Sequence, residues 1–167
     1  SVSKNAKIVS CAVIQTDVDV PSSFRSDNKL LDWIYTTYIR TQLDNMHCGI
    51  PSDCPHLEKR GYTGDGQLVG ECAMLMLDAQ KFYKKWLGDI SDCQDKVSGH
   101  VQYTAPYIHS GGGPGGWGCA IAEVPYAYYK LYGDKSVLEE FLPKTLRYFD
   151  YLEAHSENDL VTSDQKG

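Results

Sequence analysis

Three carboxylates, Asp53, Glu58 and Asp65, lie within thirteen residues of sequence, and Tyr62 stands between the last two. Asp65 precedes a helical pattern, and backbone amides at a helix N-terminus favour an anion, so we expect Asp65 to stay ionised. A carboxyl group crowded by two neighbours and an aromatic ring has a raised pKa, which suits a general acid. The alternative is that the aspartates cap the loop and the helix while Glu58 pairs with a nearby base on a solvated surface. Spacing alone leaves both interpretations open.

The same stretch contains thiols and imidazoles that invite a metal site, namely His47, Cys48, Cys54 and His56. A structural zinc site usually has two pairs of ligands, each pair two to four residues apart. These four residues lack that pattern, so we predict no metal and interpret them as buried thiols and polar loop histidines.

A glycine-rich segment at residues 110–118 surrounds Trp117. It is not a phosphate-binding loop, because no Lys-Ser or Lys-Thr pair follows the glycines. We predict that Trp117 forms an apolar wall for a sugar ring. The alternative is a flexible connector with Trp117 in the core.

The elements that must position these residues are mainly helical. Apolar residues at three- and four-residue spacing predict a helix capped by Ser26, with a stripe formed by Leu30, Leu31, Ile34, Tyr35, Tyr38 and Gln42. A second helix is predicted over about residues 65–86, after a loop at 45–64. A second long loop follows at 88–118. Two long loops at one end of a helical array make a pocket, and loops of this length usually carry function.

Two further helices are predicted near the end of the sequence. The first runs from about Ile121 and stops at Gly133, with Pro125 either at its first turn or at a kink. The second opens with a capping box at residues 136–139, with Pro143 near its start. Its predicted buried side carries Leu146, Phe149 and Leu152.

The first twenty residues differ from the rest of the sequence. Polar and apolar residues alternate over residues 16–20, which predicts a half-buried strand, and a single strand has no partner here. We therefore divide the chain into residues 1–24, the tail of an upstream β-domain with its linker, and residues 25–167, a helical domain.

Composition excludes several classes of function. The chain has 167 residues, 42% of them apolar, and a net charge of −6 without a basic run, which argues against nucleic acid as a partner. No apolar stretch is long enough to span a membrane, so we expect a soluble protein. Six cysteines do not decide whether it is intracellular or periplasmic.

Several motifs stand in register with a known family. Residues 50–55 (IPSDCP), Glu58 and residues 61–67 (GYTGDGQ) resemble the signature of bacterial α-L-rhamnosidases of glycoside hydrolase family 78. Residues 115–118 (GGWG), 124–126 (VPY) and 131–134 (LYGD) resemble later signatures in the same order. Many members have Trp where Tyr62 stands, and others have an acidic residue in place of Cys119.

The resemblance implies about one third of an (α/α)6 barrel, preceded by a β-strand of an upstream β-domain. It implies an inverting, cofactor-free glycosidase that removes terminal α-L-rhamnose, with Glu58 as general acid and Asp53 and Asp65 binding sugar hydroxyls. Tyr62 and Trp117 would form the wall of the sugar site. The general base is a second glutamate that we expect beyond Gly167, so the chain alone is expected to be inactive.

One further expectation and two rival functions accompany this interpretation. An incomplete ring exposes apolar helix faces, and we expect self-association through Leu30, Ile34, Tyr38, Leu146, Phe149 and Leu152. A rival within enzymes is another helical-barrel glycosidase with a different sugar specificity. A rival from another class is a non-catalytic carbohydrate-binding helical protein.

Overall fold

The computed structural model describes residues 7, 9–109 and 115–163, and this part of the chain is mainly helical. The helices are α1 (Lys29–Asn45), α2 (Thr63–Met76), α3 (Gln80–Cys93), α4 (Ala120–Tyr132) and α5 (Lys135–Ala154), and a 3-10 turn covers Gly115–Trp117. Two short antiparallel hairpins accompany them, formed by β1 (Met46–His47) with β2 (Ile50–Pro51) and by β3 (Ser156–Glu157) with β4 (Leu160–Val161). The predicted mainly α fold is therefore confirmed.

Helix α1 forms where periodicity predicts it, but its N-cap is Asn28 rather than Ser26. The Asn28 side chain accepts a hydrogen bond from the backbone N–H of Leu30 at 2.9 Å. The backbone N–H of Ser26 instead donates to Asp32 Oδ1 at 2.8 Å, and this bond ties the residues before the helix to its first turn.

The single helix predicted over residues 65–86 is wrong, because the chain breaks at residues 77–79 into α2 and α3. Leu77 is extended and buried, and the backbone N–H of Asp78 donates to the carbonyl of Asp19 at 2.9 Å. A carbonyl of the N-terminal segment thus accepts a hydrogen bond from a backbone N–H at the break between α2 and α3. Helix α3 continues to Cys93, so the second long loop begins later than predicted.

The strand predicted over residues 16–20 is also wrong: within the described residues this segment forms no ladder. Thr16 N–H donates to the carbonyl of Met46 at 2.9 Å, and Asp19 accepts from Asp78, which are isolated bonds to two different elements. The alternation of side chains is nevertheless real, because Val18 packs against the core while Asp17 is exposed.

Helix α4 is confirmed and stops at Gly133, whose φ of 71° is the left-handed conformation of a helix end. Pro125 lies inside α4 and cannot donate to the carbonyl of Ile121. The hydroxyl of Thr145 on α5 donates to that carbonyl instead, at 3.0 Å. The proline is therefore tolerated because a neighbouring helix supplies the missing donor.

Helix α5 departs from the prediction in two ways. Asp134 is its N-cap, accepting from the backbone N–H of Ser136 at 3.0 Å, and Pro143 lies in the helix interior. Its buried side carries Val137, Phe141, Tyr148 and Tyr151. Of the predicted stripe, Leu152 packs partly on the core, whereas Leu146 and Phe149 are about half exposed.

The core lies between α2, α3, α4 and α5, with α4 in contact with the other three. Its largest fully buried side chains are aromatic: Trp86, Tyr83, Tyr128 and Tyr148. Among the helices of the described residues, none has the length and apolar character needed to cross a membrane.

Candidate active site

The carboxylate-rich segment is a compact loop whose two ends are joined. The backbone N–H of Asp53 donates to the carbonyl of Arg60 at 3.2 Å, and the N–H of Arg60 donates back to Asp53 Oδ1 at 3.4 Å. Within the loop, the carbonyl of Cys54 accepts from the N–H groups of Leu57 and Lys59. The loop therefore has a defined backbone although its side chains from residue 56 to residue 59 are exposed.

Glu58 is exposed at the tip of this loop and meets Tyr62. The Tyr62 hydroxyl donates to Glu58 Oε2 at 2.6 Å. Neither Lys59 nor Arg60 forms an ion pair with Glu58 within the described residues. The ion-paired alternative for Glu58 is thus not what the structure contains.

Backbone hydrogen bonds join the two long loops. The N–H of Ala105 donates to the carbonyl of Gly61 at 2.9 Å, and the N–H of Thr63 donates to the carbonyl of Tyr103 at 2.8 Å. The indole N–H of Trp86 donates to the carbonyl of Ala105 at 3.1 Å, which ties this junction to α3. The two long loops therefore meet at one end of the helices.

Trp117 lies over the start of α2 and beside Tyr62. The rings of Tyr62 and Trp117 meet edge to face with centroids 5.3 Å apart, and Tyr103 meets Trp117 in the same way at 6.0 Å. The side-chain amide of Gln67 donates to the carbonyl of Gly116 at 3.0 Å. Trp117 is only partly buried, so part of its indole faces outward from this cluster. Residues 110–114 of the glycine-rich segment lie outside the described residues.

Asp53 and Asp65 line one cleft of about 240 Å³ between α1 and α2. Its wall also contains Tyr38 and Gln42, which periodicity assigned to a core stripe, and Ser52. Glu58 lies outside this cleft, on the exposed loop next to Asp53. The structure therefore places two of the three carboxylates together and the third on the adjoining loop.

The two aspartates have pKa shifts in opposite directions. Partial burial acts to raise the pKa of Asp53, but hydrogen bonds from the Cys54 thiol and from the backbone of Cys54 and Arg60 outweigh it, so the pKa is lowered. Desolvation and the nearby charge of Asp53 raise the pKa of Asp65, despite its own backbone N–H at the helix N-terminus. This shift is opposite to the lowering that the helix amides alone would give the pKa of Asp65.

The four candidate metal ligands have other surroundings. His47 Nε2 hydrogen-bonds Ser52 Oγ at 3.0 Å, and the Cys54 thiol donates to Asp53 Oδ2 at 2.7 Å. Cys48 and His56 are exposed, so Cys48 is not the buried thiol that we expected. The described part of the chain contains no group of three or more His, Cys, Asp or Glu residues arranged to hold a metal ion.

Sequence reasoning missed Tyr103 as a neighbour of the site. It precedes Ala105 by two residues and packs against Trp117; Ala105 donates to the carbonyl of Gly61 and accepts from the indole N–H of Trp86. No periodicity marks a side chain inside a long loop, so the sequence carried no signal for it. Gln67, in contrast, stands inside the GYTGDGQ segment already singled out.

The family model of the six-hairpin glycosidase domain of bacterial alpha-L-rhamnosidase matches residues 19–167. An alpha-L-rhamnosidase of Formosa agariphila is 31% identical over 96% of this chain, and one of Streptomyces avermitilis is 30% identical over 93%. The chain spans only 18% and 15% of the length of these two relatives.

Solved structures of alpha-L-rhamnosidases are also similar to this chain. The Streptomyces avermitilis alpha-L-rhamnosidase complexed with L-rhamnose superimposes with a TM-score of 0.80 at 32% identity, over 86% of this chain and 14% of that one. The alpha-L-rhamnosidase from Dictyoglumus thermophilum superimposes with a TM-score of 0.83, also at 32% identity, over 92% of this chain and 17% of that one.

Proposed function

The chain belongs to the six-hairpin glycosidase domain family of bacterial α-L-rhamnosidases, and from this premise we propose that the protein containing it hydrolyses terminal α-L-rhamnosides. The observation that carries the proposal is the exposed carboxyl of Glu58, held beside a cleft lined by Asp53 and Asp65. A relative with a similar fold was solved with L-rhamnose bound, which favours this sugar.

The reaction assigns a separate task to each carboxyl group. Glu58 donates its proton to the glycosidic oxygen as the bond from that oxygen to the anomeric carbon breaks. Asp53 and Asp65 accept hydrogen bonds from sugar hydroxyls. The lowered pKa of Asp53 supports its part, because an ionised carboxylate is the stronger acceptor.

The aromatic residues complete the sugar site. Tyr62 and Trp117 present an edge-to-face pair beside Glu58, and an aromatic surface packs against the apolar side of a sugar ring. A second carboxylate outside these 167 residues then activates water on the opposite side of the sugar. The product has inverted configuration, and such pairs of carboxyls stand about 6.5–9.5 Å apart.

In this proposal residues 25–167 form the first part of an (α/α)6 barrel, and residues 1–24 form the tail of the preceding β-domain. The chain spans less than a fifth of the two curated relatives, which supports its being one part of a larger catalytic unit. Without the second carboxylate the chain alone does not turn over rhamnosides.

The exposed apolar faces follow from the same picture. Leu30 and Ile34 on α1, and Leu146 and Phe149 on α5, are between 48% and 60% exposed. Further helices of the ring cover these faces in the whole protein, and the isolated chain self-associates through them. Light scattering that finds only monomer at high concentration contradicts this part of the proposal.

The test compares Glu58→Gln with wild type in the full-length protein. Glutamine cannot donate the proton, so hydrolysis of an alkyl α-L-rhamnoside falls by about 10²–10⁴-fold, and the loss shrinks for an activated aryl leaving group. Glu153→Gln, an exposed position on α5, is the matched control and keeps full activity.

Three results contradict the proposal. Glu58→Gln with activity within about threefold of wild type removes Glu58 from the role of general acid. A retained anomer as first product, seen by proton NMR, refutes inversion. Cleavage of a different sugar from a panel of aryl glycosides, or sugar binding without any hydrolysis, favours one of the two rival functions.

A further inference from the structure

The hydroxyl of Tyr62 is a partner that the carboxyl of Glu58 does not need for solubility or folding. Glu58 is exposed, and the 2.6 Å bond from Tyr62 is the one hydrogen bond that its carboxyl makes within the described residues. A single side-chain hydrogen bond to an exposed glutamate adds little to the stability of the fold, because water can hydrogen-bond the carboxylate in its place. A short hydrogen bond at this position calls for another explanation.

The two partners differ in how firmly they are held. Tyr62 is the N-cap of α2, forms a β-bridge with Thr104, and packs its ring edge to face with Trp117 at 5.3 Å. Glu58 stands on a loop whose next residue, Lys59, has a positive φ of 56°. The hydrogen bond therefore anchors a side chain on an exposed loop to a tyrosine whose backbone is held at the start of α2 and by Thr104, and whose ring packs on Trp117.

We propose that Tyr62 is a positioning residue for the general acid, whose hydroxyl holds Glu58 Oε2 so that Oε1 carries the proton toward the glycosidic oxygen. This inference rests on the proposed function and adds a second role to a residue that the sequence indicates only as an aromatic wall.

The proton balance of the step is simple. The O–H bond at Glu58 Oε1 breaks, an O–H bond forms on the departing oxygen, and that oxygen takes the electron pair of its bond to the anomeric carbon. Glu58 is left as a carboxylate, and the Tyr62 hydroxyl still donates to Oε2, which stabilises the new negative charge.

Tyr62 keeps its own proton throughout. The hydrogen bond to Glu58 and desolvation of the ring together raise the pKa of Tyr62, whereas Arg60 acts in the opposite direction. The phenol is therefore a hydrogen-bond donor over the working range of pH. It neither supplies the transferred proton nor acts as a base.

The test is Tyr62→Phe in the full-length protein, which removes the hydroxyl and keeps the ring. For an alkyl rhamnoside we expect kcat to fall by at least about tenfold, the effect of losing one hydrogen bond to a charged group. For an activated aryl rhamnoside the loss is less than about threefold, because little protonation is needed.

Two comparisons separate this role from a structural one. Tyr129→Phe, toward the other end of α4 from the site, is the matched control and leaves the rates on both substrates unchanged. In a double-mutant cycle, adding Tyr62→Phe to Glu58→Gln lowers activity on the alkyl substrate by less than about twofold, because the acid that Tyr62 positions is already absent.

The inference is overturned if Tyr62→Phe lowers kcat on the alkyl and aryl rhamnosides by the same factor, or if the losses of the two single variants multiply in the double variant. A wild-type protein that hydrolyses no rhamnoside refutes the proposed function itself, and the inference with it. Wild-type turnover, together with equal losses on the two substrates in Tyr62→Phe, refutes the inference alone.

Discussion

Gly64→Ala tests whether the wall formed by Trp117 depends on close approach to α2. A Cβ built on Gly64 would stand 2.7–2.9 Å from three atoms of the Trp117 indole. Carbon atoms pack at about 3.5 Å, so the indole must move by about 0.8 Å. Gln67 holds the carbonyl of Gly116 at 3.0 Å, and Tyr62 and Tyr103 meet the indole ring, so this shift disturbs several contacts.

The magnitude follows from two opposing effects. Overpacking a fitted contact costs about 1–3 kcal/mol of unfolding free energy. Replacing Gly by Ala inside a helix returns about 0.5–1 kcal/mol. We expect a net loss of about 1–2 kcal/mol, together with a raised KM for the rhamnoside, because the displaced indole no longer meets Tyr62 in the same geometry.

Gly70→Ala on the same helix is the matched control. Its Cβ would meet Tyr83 at 3.5 Å, an ordinary contact, so only the helix preference acts and stability rises by about 0.5–1 kcal/mol. Urea unfolding of the chain, followed by circular dichroism, gives both free energies, and the KM comes from the full-length protein. If Gly64→Ala is as stable as Gly70→Ala and its KM is unchanged, then Trp117 is not held in place by the absence of a side chain at residue 64.

The remaining predictions concern a buried carbonyl and the two aspartates. Thr145→Val removes the donor to the carbonyl of Ile121 and should lower the unfolding free energy by about 1–3 kcal/mol in the same urea experiment. The control, Thr36→Val at an exposed position on α1, should change the unfolding free energy by less than about 0.5 kcal/mol. The folded-state pKa of Asp65 is raised, so its stabilising contribution is present below the ordinary pKa of 3.8 and is lost as pH rises through the folded value. Asp65→Asn should therefore be more stable than wild type at neutral pH, and the two stabilities should converge in acid. Asp53, whose pKa is lowered, stabilises above 3.8 and loses this contribution as pH falls, so Asp53→Asn should be less stable at neutral pH, and melting temperatures that move in the same direction for both variants would contradict the assignment.

Local signals predicted those helix boundaries that depend on one residue's own conformation. Helix α4 ends at Gly133 because a left-handed φ of 71° suits glycine, and that rule can be applied to a sequence. The break between α2 and α3 follows no such rule, because Leu77 continues the apolar pattern. At this break the backbone N–H of Asp78 instead donates to the carbonyl of Asp19, in a distant part of the sequence. Periodicity cannot foresee a partner sixty residues away.

The buried side of α5 illustrates a second limit. The helix carries one apolar stripe through Phe141 and Tyr148 and another through Leu142, Leu146 and Phe149, and both have helical spacing. Only the first stripe faces the core formed by these residues. The choice between them depends on which neighbouring helices are present, and this information is absent from the sequence of α5 itself.

The candidate site was more predictable than the packing around it, for a physical reason. Asp53, Glu58 and Asp65 lie in one short segment, so their proximity follows from chain connectivity. The orientation of Glu58 depends instead on Tyr62, and the ring of Tyr62 depends on Trp117, more than fifty residues further along the chain. A spacing of four residues in a loop does not specify a side-chain contact as it does in a helix.

A chain of contacts links the core to the junction of the two loops. The two loops meet through backbone bonds at Gly61 and Thr63, and a side chain at Gly61 would collide with the carbonyl of Ala105. That carbonyl also accepts from the indole N–H of Trp86, which is fully buried in the core. The core therefore fixes the junction of the loops, the junction fixes the backbone of Tyr62, and the Tyr62 hydroxyl donates to the exposed carboxyl of Glu58.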